Sequence, residues 1–310
     1  MLHQRKNILG VGCKCLLWSV ILLLIQQPLE AQQAPQQLKI LSWNIQLLPR
    51  SFSVFSKALR KKQKLRTPWV IEHCQQGDYD VIVFQEVFDK PLAKKLQKEL
   101  LATYPYQVKP LQKAGRLTSS GILIISKWPL QQVGTVVYPK GAHEDAWAAK
   151  GCTLVQLKQG KNSLYIAGTH LQAGHSEAAK AARTIQYKAI KTLLEECTND
   201  SLPIVLAGDL NTPKKDKKAY PEMLSTLEMQ DEPLDEIRPY TIDNQNTWNL
   251  GSKNKQLDYI LLQPQKSALK LVQQKVLRLQ KTWKEQPLDL ADHYGVWATF
   301  EWGIAPSDKN

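Results

Sequence analysis

The stretch PIVLAGDLN, residues 203–211, is apolar at four consecutive positions and then turns abruptly polar. An unbroken run containing β-branched residues, bounded by Pro203 and by the turn formers Asp209 and Asn211, reads as a strand buried on both faces. Ahead of it, residues 176–197 open on Ser176, a candidate N-cap, and carry Ile185, Ala189, Leu193 and Leu194 at helical spacing. Outward from this unit the signature recurs. LKILSWN (38–44), DVIVFQE (80–86), GILIIS (121–126), SLYIAGTH (163–170) and LDYILL (257–262) read as strands. KPLAKKLQKELL (90–101) reads as a helix with Leu92, Leu96, Leu100 and Leu101 on one face. Helices alternating with buried strands predict one α/β layered domain over residues 38–302, its helices covering the sheets. A Gln/Pro-rich linker at 32–37 precedes it and a flexible tail at 303–310 follows; no internal repeat points to a solenoid.

The composition, 43% apolar and 22% charged over 310 residues, suffices for a sizeable core and excludes disorder as the main state. At the N-terminus, Arg5, Lys6 and Lys14 precede an uncharged run at 15–29, and Ala31 then stands before a polar stretch. This is the layout of a secretory signal over residues 1–31, cleaved near Ala31. The apolar run falls short of the roughly 20 residues that a membrane span needs, which makes an uncleaved anchor the lesser alternative. The formal charge is +13, and removing that segment leaves about +11. Such a surface favours an anionic partner, nucleic acid or acidic membrane, without choosing between them. Cys74, Cys152 and Cys197 are an odd set with no zinc spacing, so they read as small buried hydrophobes with at most one disulfide.

The chemical signal is positional. Asn44, Glu86, His170, and Asp209 with Asn211 each stand where an apolar run ends, and Asp292-His293 precedes the last run, 294–300. Strand ends hold side chains at one edge of a rigid layer, where they can converge. Singly, each has an ordinary structural explanation; together they fit one reaction. A hard divalent cation such as Mg²⁺, with Mn²⁺ or Co²⁺ as substitutes, takes oxygen ligands, which Glu86 and the Asn44 amide can offer. His293 can accept a proton from water near neutral pH if a carboxylate fixes its tautomer, and Asp258 and Asp292 are the candidates. His170 and Asn211 can donate to phosphoryl oxygens as charge builds there. The chain has no HExxH, Cys/His cluster or GxxxxGK[ST] loop, so zinc-protease and P-loop chemistry are not supported.

At these residues the sequence resembles the endonuclease/exonuclease/phosphatase superfamily, the deoxyribonuclease-I-like fold, and within it the neutral sphingomyelinase branch. The motifs appear in the family's order: LSWN (41–44), QEVFD (85–89), SGILIISKWP (120–129), GTHLQA (168–173), GDLN (208–211), LDYIL (257–261) and DHYGV (292–296). The resemblance implies a two-sheet α/β sandwich with helices on the outer faces. It implies Glu86 as principal Mg²⁺ ligand with Asn44 beside it, and His293 as general base paired with Asp258, where spacing alone favours Asp292. Asp209 and Asn211 would orient nucleophile and phosphate, His170 would stabilise the transition state, and Lys150 matches a Lys-Gly element that meets phosphate unless it is a solvated surface lysine. The implied reaction is hydrolysis of sphingomyelin to ceramide and phosphocholine. Ser119, Ser120 and Gly121 stand where some secreted members carry an acidic residue and two glycines, and Ala142 stands where some have a cysteine.

An enzyme acting on a membrane sphingolipid needs a peripheral membrane contact, for which Trp283, Trp147 and Tyr138, each near a lysine, are candidates. No obligate protein partner is implied. Three readings compete: a sphingomyelinase (or a relative acting on lysophospholipids), a metal-dependent nuclease of the same superfamily with nucleic acid as partner, and a catalytically dead binding module. The WxGDxNxR pattern of inositol-polyphosphate phosphatases is missing, since Ala207 precedes Gly208 and Pro213 follows Thr212.

Overall fold

Every residue of the strand at Ile204–Asp209 is buried, as its unbroken apolar run predicts. Strand side chains alternate between faces. Val205 and Ala207 join Leu38, Ile40, Val81 and Val83 in a core between two sheets. Ile204 and Leu206 join Tyr187, Ile190, Leu193 and Leu194 of the helix that precedes the strand. Each valine, leucine or isoleucine side chain fully buried in this way contributes about 1.5–3 kcal/mol. The computed structural model describes residues 36–50, 57–139, 141–199, 201–249, 254–263 and 269–303. The predicted signal segment, most of the linker and nearly all of the tail lie outside these residues.

The first sheet runs in the order β10 (Leu269–Leu277), β13 (Gly295–Trp302), β1 (Gln37–Leu47), β2 (Val81–Val87), β4 (Leu123–Ser126) and β3 (Tyr106–Val108). The second runs β5 (Leu130–Val137), β6 (Gly151–Gln159), β7 (Asn162–His170), β8 (Ile204–Asp209) and β9 (Asp258–Leu262). Helices α1 (Lys57–Gln76) and α2 (Lys90–Leu100) cover the outer face of the first sheet, and α3 (Glu177–Cys197) and α4 (Ala219–Leu227) that of the second. This is the α/β sandwich expected, with helices outside. The sheets approach closely at Gly168, where a Cβ would meet Val83 at 2.9 Å and Ile124 at 3.0 Å.

Two parallel pairs, β1–β2 and β7–β8, set the position of the site. Helix α1 crosses over between the first pair and α3 between the second, so each pair ends at the same edge of its sheet. Antiparallel neighbours start there: Asp258 of β9 lies opposite Asp209, and Val296 of β13 opposite Ser42.

Some sequence expectations are corrected. On α3 the buried positions are Ala179, Arg183, Gln186, Tyr187, Ile190, Leu193 and Leu194, while Ile185 is exposed. The true contact face is partly polar, because Gln186 and Arg183 bond the backbone after β7. Leu101 is the C-cap of α2 and is exposed rather than part of its apolar face. Tyr138 is 1% exposed, with its hydroxyl 2.6 Å from Thr169 Oγ1, so it is a core residue and makes no membrane contact. Helix α1 and the hairpin of β11 (Gln280–Trp283) and β12 (Gln286–Asp289) were not foreseen. The hairpin turns at Lys284 and Glu285, both with left-handed φ (51° and 64°), the pattern of a two-residue turn that matches strand twist. Cys74, Cys152 and Cys197 are free thiols, the first two buried, and burial pushes the Cys152 thiol up to about 12. No described helix is long and apolar enough to cross a membrane.

Candidate active site

The ends of β1, β2, β7, β8 and β9, with the turn before β13, bring Asn44, Glu86, His170, Asp209, Asp258 and His293 together. Asn44, fully buried, donates from Nδ2 to Glu86 Oε1 (3.0 Å) and to Asp209 Oδ2 (3.2 Å). Its Oδ1 accepts from the backbone N–H of Gln46. Here Asn44 ties two carboxylates from different sheets through its amide nitrogen, whereas the sequence suggested an amide-oxygen ligand. Three residues at these strand ends, Gln46, Glu86 and Asn211, hold left-handed φ values of 47°, 58° and 49° without being glycine. Such conformations cost on the order of 1–3 kcal/mol each and persist only where surrounding structure enforces them.

The imidazole of His293 bonds through Nδ1 to Asp258 Oδ2 at 2.8 Å, and its Nε2 lies 3.7 Å from Asp209 Oδ2. Asp292 is adjacent in sequence but turns away: its Oδ2 accepts from Gln46 Nε2 at 2.6 Å. The structure therefore places Asp258, not Asp292, on His293. Burial alone would lower the His293 pKa, but the Asp258 and Asp209 carboxylates outweigh it and hold it well above the ordinary histidine value. Burial, then repulsion from Asp258, pushes Asp209 up to about 7, against the pull of His293 and Lys150.

On the other side of Asp209, His170 Nε2 stands 3.4 Å from Oδ2. Burial, then Lys150 and His293, hold the His170 pKa well below its usual value, so this contact is not an ion pair. Lys150 is 4% exposed, which excludes the solvated-lysine reading. Its ammonium group is 2.8 Å from Asp145 Oδ2, 2.8 Å from Leu171 O and 3.2 Å from His170 Nε2. Three acceptors match its three protons. With Nε2 accepting from Lys150, the His170 proton sits on Nδ1, a buried atom with no hydrogen-bond partner among the described residues. Asn211 uses its backbone N–H on Asp209 Oδ1 and one of its two Nδ2 hydrogens on Leu171 O, which leaves the second amide hydrogen for a ligand.

Three residues went unnoticed in the sequence. Gln46 positions Asp292, Asp145 pairs with Lys150, and the buried Arg66 donates to the Gln46 and Leu290 carbonyls beneath the site. Only the position of Gln46, two residues past Asn44, offered any signal.

Two clusters could hold a cation. Asp209, Asp258 and His293 offer ligand atoms within 4.8 Å of one another, but the Asp258–His293 hydrogen bond already occupies the facing atoms. Beside it, burial and then repulsion from Asp292 push the Glu86 pKa up, and Asp292 Oδ1 is buried without a hydrogen-bond partner among the described residues. Crowded, all-oxygen donors with an unsatisfied carboxylate oxygen fit a hard divalent cation. The predicted membrane residues lie elsewhere: Trp283 pairs with Gln286 at the hairpin tip, and Trp147 is 50% exposed.

The model of the Endonuclease/Exonuclease/phosphatase family matches residues 41–277. Sphingomyelinase C from Leptospira interrogans is 28% identical over 211 residues, which are 61% of this chain and 37% of that protein. Sphingomyelinase C from Bacillus cereus is 27% identical over 266 residues, 71% of this chain and 77% of the relative. The crystal structure of sphingomyelinase C from Streptomyces griseocarneus superposes with a TM-score of 0.69 at 24% identity, covering 85% of this chain and 99% of that one. The fold is thus that of the deoxyribonuclease-I-like sphingomyelinases. The chain belongs to the Endonuclease/Exonuclease/phosphatase family of hydrolases, and its likeness within that family is to the sphingomyelinases C.

Proposed function

We propose that the chain is an exported, Mg²⁺-dependent phosphodiesterase that hydrolyses sphingomyelin to ceramide and phosphocholine. The observation that carries this reading is the line Asp258–His293–Asp209, with contacts of 2.8 and 3.7 Å, beside the Glu86–Asn44 pair. Asp258 holds the proton on His293 Nδ1, which leaves Nε2 free to accept one when the ring is neutral. A water held beside Nε2 and Asp209 passes its proton to His293 as its oxygen bonds to phosphorus and the bond to the ceramide oxygen breaks, and that oxygen takes a proton from solvent to become the ceramide hydroxyl. Asp209 and Asn211 orient that water and the phosphate, and His170, carrying the Lys150 ammonium against its Nε2, stabilises the charge that builds on the phosphoryl oxygens through the field of that cation. Glu86 holds the cation, with Asn44 and Asp292 beside it. When bound, Mg²⁺ polarises a phosphoryl oxygen and stabilises the leaving alkoxide.

Likeness to the sphingomyelinases C and the QEVFD, SKWP and THLQA segments support a lipid substrate over a nucleic acid. Trp283 and Trp147 are the proposed membrane contacts, and the segment 1–31 is the proposed export signal, removed near Ala31. The test is to assay the purified protein on sphingomyelin, phosphatidylcholine, lysophosphatidylcholine and plasmid DNA, with Mg²⁺ and with EDTA. Phosphocholine release from sphingomyelin that is lost in EDTA and in His293→Ala is expected. Plasmid nicking without lipid turnover would overturn the substrate in favour of the nuclease reading.

A further inference from the structure

Next to the site, the first residues after Glu86 enter a second feature that the proposed reaction does not use. An open groove of about 690 Å³ lies between the start of α2 and the loop at 109–119. Val87 and Phe88 line it, so it begins one residue from Glu86; Val87 N–H bonds Gly121 O at 2.9 Å, and a Cβ on Gly121 would meet the Phe88 ring. Its lining is divided by chemistry. Phe88, Pro91 and Leu117 supply apolar surface, and Leu117 is 78% exposed. Lys90, Lys94 and Lys109 supply exposed ammonium groups, and among the described residues no Asp or Glu lines the groove.

Some lysines on the molecule are neutralised by a neighbouring acid. Lys95, Lys127, Lys180, Lys191 and Lys275 each have a carboxylate within 4.0 Å. Lys90, Lys94 and Lys109 have none among the described residues. The nearby acid, Asp89, is buried and spent on Arg60, Arg50 and the N-terminus of α2. Exposed Lys57, Lys61 and Lys64 of the neighbouring α1 extend the positive field. Apolar surface flanked by uncompensated cations complements an amphiphile with an anionic head. It does not complement a bare polyanion, which has no use for Leu117 and Phe88.

We propose that this groove binds an anionic phospholipid of the target bilayer, its phosphate among Lys90, Lys94 and Lys109 and an acyl chain against Phe88 and Leu117. The bound lipid is not the substrate; it holds the strand-end site against the membrane and makes lipid turnover depend on bilayer charge. The inference rests on the lipid-phosphodiesterase reading for its purpose, but its test reads binding and does not need turnover.

The full-length mature protein is to be sedimented with vesicles of phosphatidylcholine alone and of phosphatidylcholine mixed with phosphatidylglycerol, across a salt series. The charged vesicles should bind more tightly, and salt should weaken that preference. A lysine at an anionic surface is worth about fivefold in affinity, so the triple variant Lys90→Gln/Lys94→Gln/Lys109→Gln should lose roughly a hundredfold for charged vesicles only. Leu117→Ser should weaken binding to the same vesicles, and both variants should keep the wild-type melting temperature. Equal binding of the two vesicle types by the wild type, or undiminished preference in the triple variant, would overturn the proposal. An unaffected Leu117→Ser would reduce the groove to diffuse surface charge and overturn it too. Retention on DNA-cellulose that the triple variant loses, without any vesicle preference, would assign the lysines to nucleic acid instead. Absence of sphingomyelin turnover alongside charge-selective vesicle binding would refute the substrate and leave the groove standing.

Discussion

The variant Asp258→Asn tests the centre of the proposed mechanism. Asp258 is fully buried, accepts from His293 Nδ1 at 2.8 Å, and is a leading cause of that histidine's raised pKa. Asparagine is nearly isosteric but carries no charge and can donate a hydrogen bond to Nδ1. Donation would move the imidazole proton to Nε2, the atom that must accept from water. General-base assistance is worth about 10²–10⁴-fold, so kcat for phosphocholine release should fall by that factor with KM little changed. The pH profile gives a second, independent readout. With the folded pKa of His293 raised, the wild-type acid limb should lie above the ordinary histidine range, and residual activity in Asp258→Asn should rise from a more acidic limb. Stability should follow the same linkage. A raised folded pKa contributes stability that is complete below the unfolded value near 6.5 and is lost as pH rises through the folded pKa. The melting-temperature gap between wild type and variant should therefore be widest below about pH 6.5 and shrink in alkali. The assay is phosphocholine release between acid and alkaline pH, alongside melts over the same range. A rate within a few-fold of wild type, or an unmoved acid limb, would refute the Asp258–His293 assignment.

Other outcomes follow from neighbouring contacts. Glu86→Gln removes a carboxylate whose pKa burial, then repulsion from Asp292, raises; it should abolish metal-dependent turnover yet raise the melting temperature in EDTA, and an unchanged rate would refute the ligand role. Lys150→Met leaves Asp145 and the Leu171 carbonyl without their cation, at a cost of about 3 kcal/mol as for other broken buried pairs; a wild-type melting curve would show that the ammonium does not hold this corner. Trp283→Ala should weaken sedimentation with phosphatidylcholine vesicles while leaving hydrolysis of a soluble phosphodiester ester intact, and equal loss on both would place Trp283 in the active site.

Much of the site was legible because its residues stand where apolar runs of the sequence end. Asn44, Glu86, His170 and Asp209 follow apolar runs, so that a polar side chain stands out in the sequence, although burial continues past it in the structure. Helix α1 was not legible, and its burial explains why. Its core-facing residues include Gln63, Arg66 and Thr67 beside Val70, Ile71 and Cys74, and Pro68 lies within it. A polar contact face leaves no apolar period to read. Tyr138 misled because an aromatic near a lysine looks the same in sequence whether its hydroxyl meets a membrane or Thr169.

The sequence by itself determined the layered α/β class, the strands buried on both faces and the residue types at their ends, since burial and turn chemistry act over a few neighbouring residues. Only the tertiary structure decided which groups meet. Asp258 begins β9 in one sheet and His293 precedes β13 in the other, and they touch because both strands start at the edge where the two parallel pairs end. Asp292, one residue from His293, is carried to Gln46 instead. The bend before β13 sends these adjacent side chains to different partners, so distance along the chain does not predict a contact.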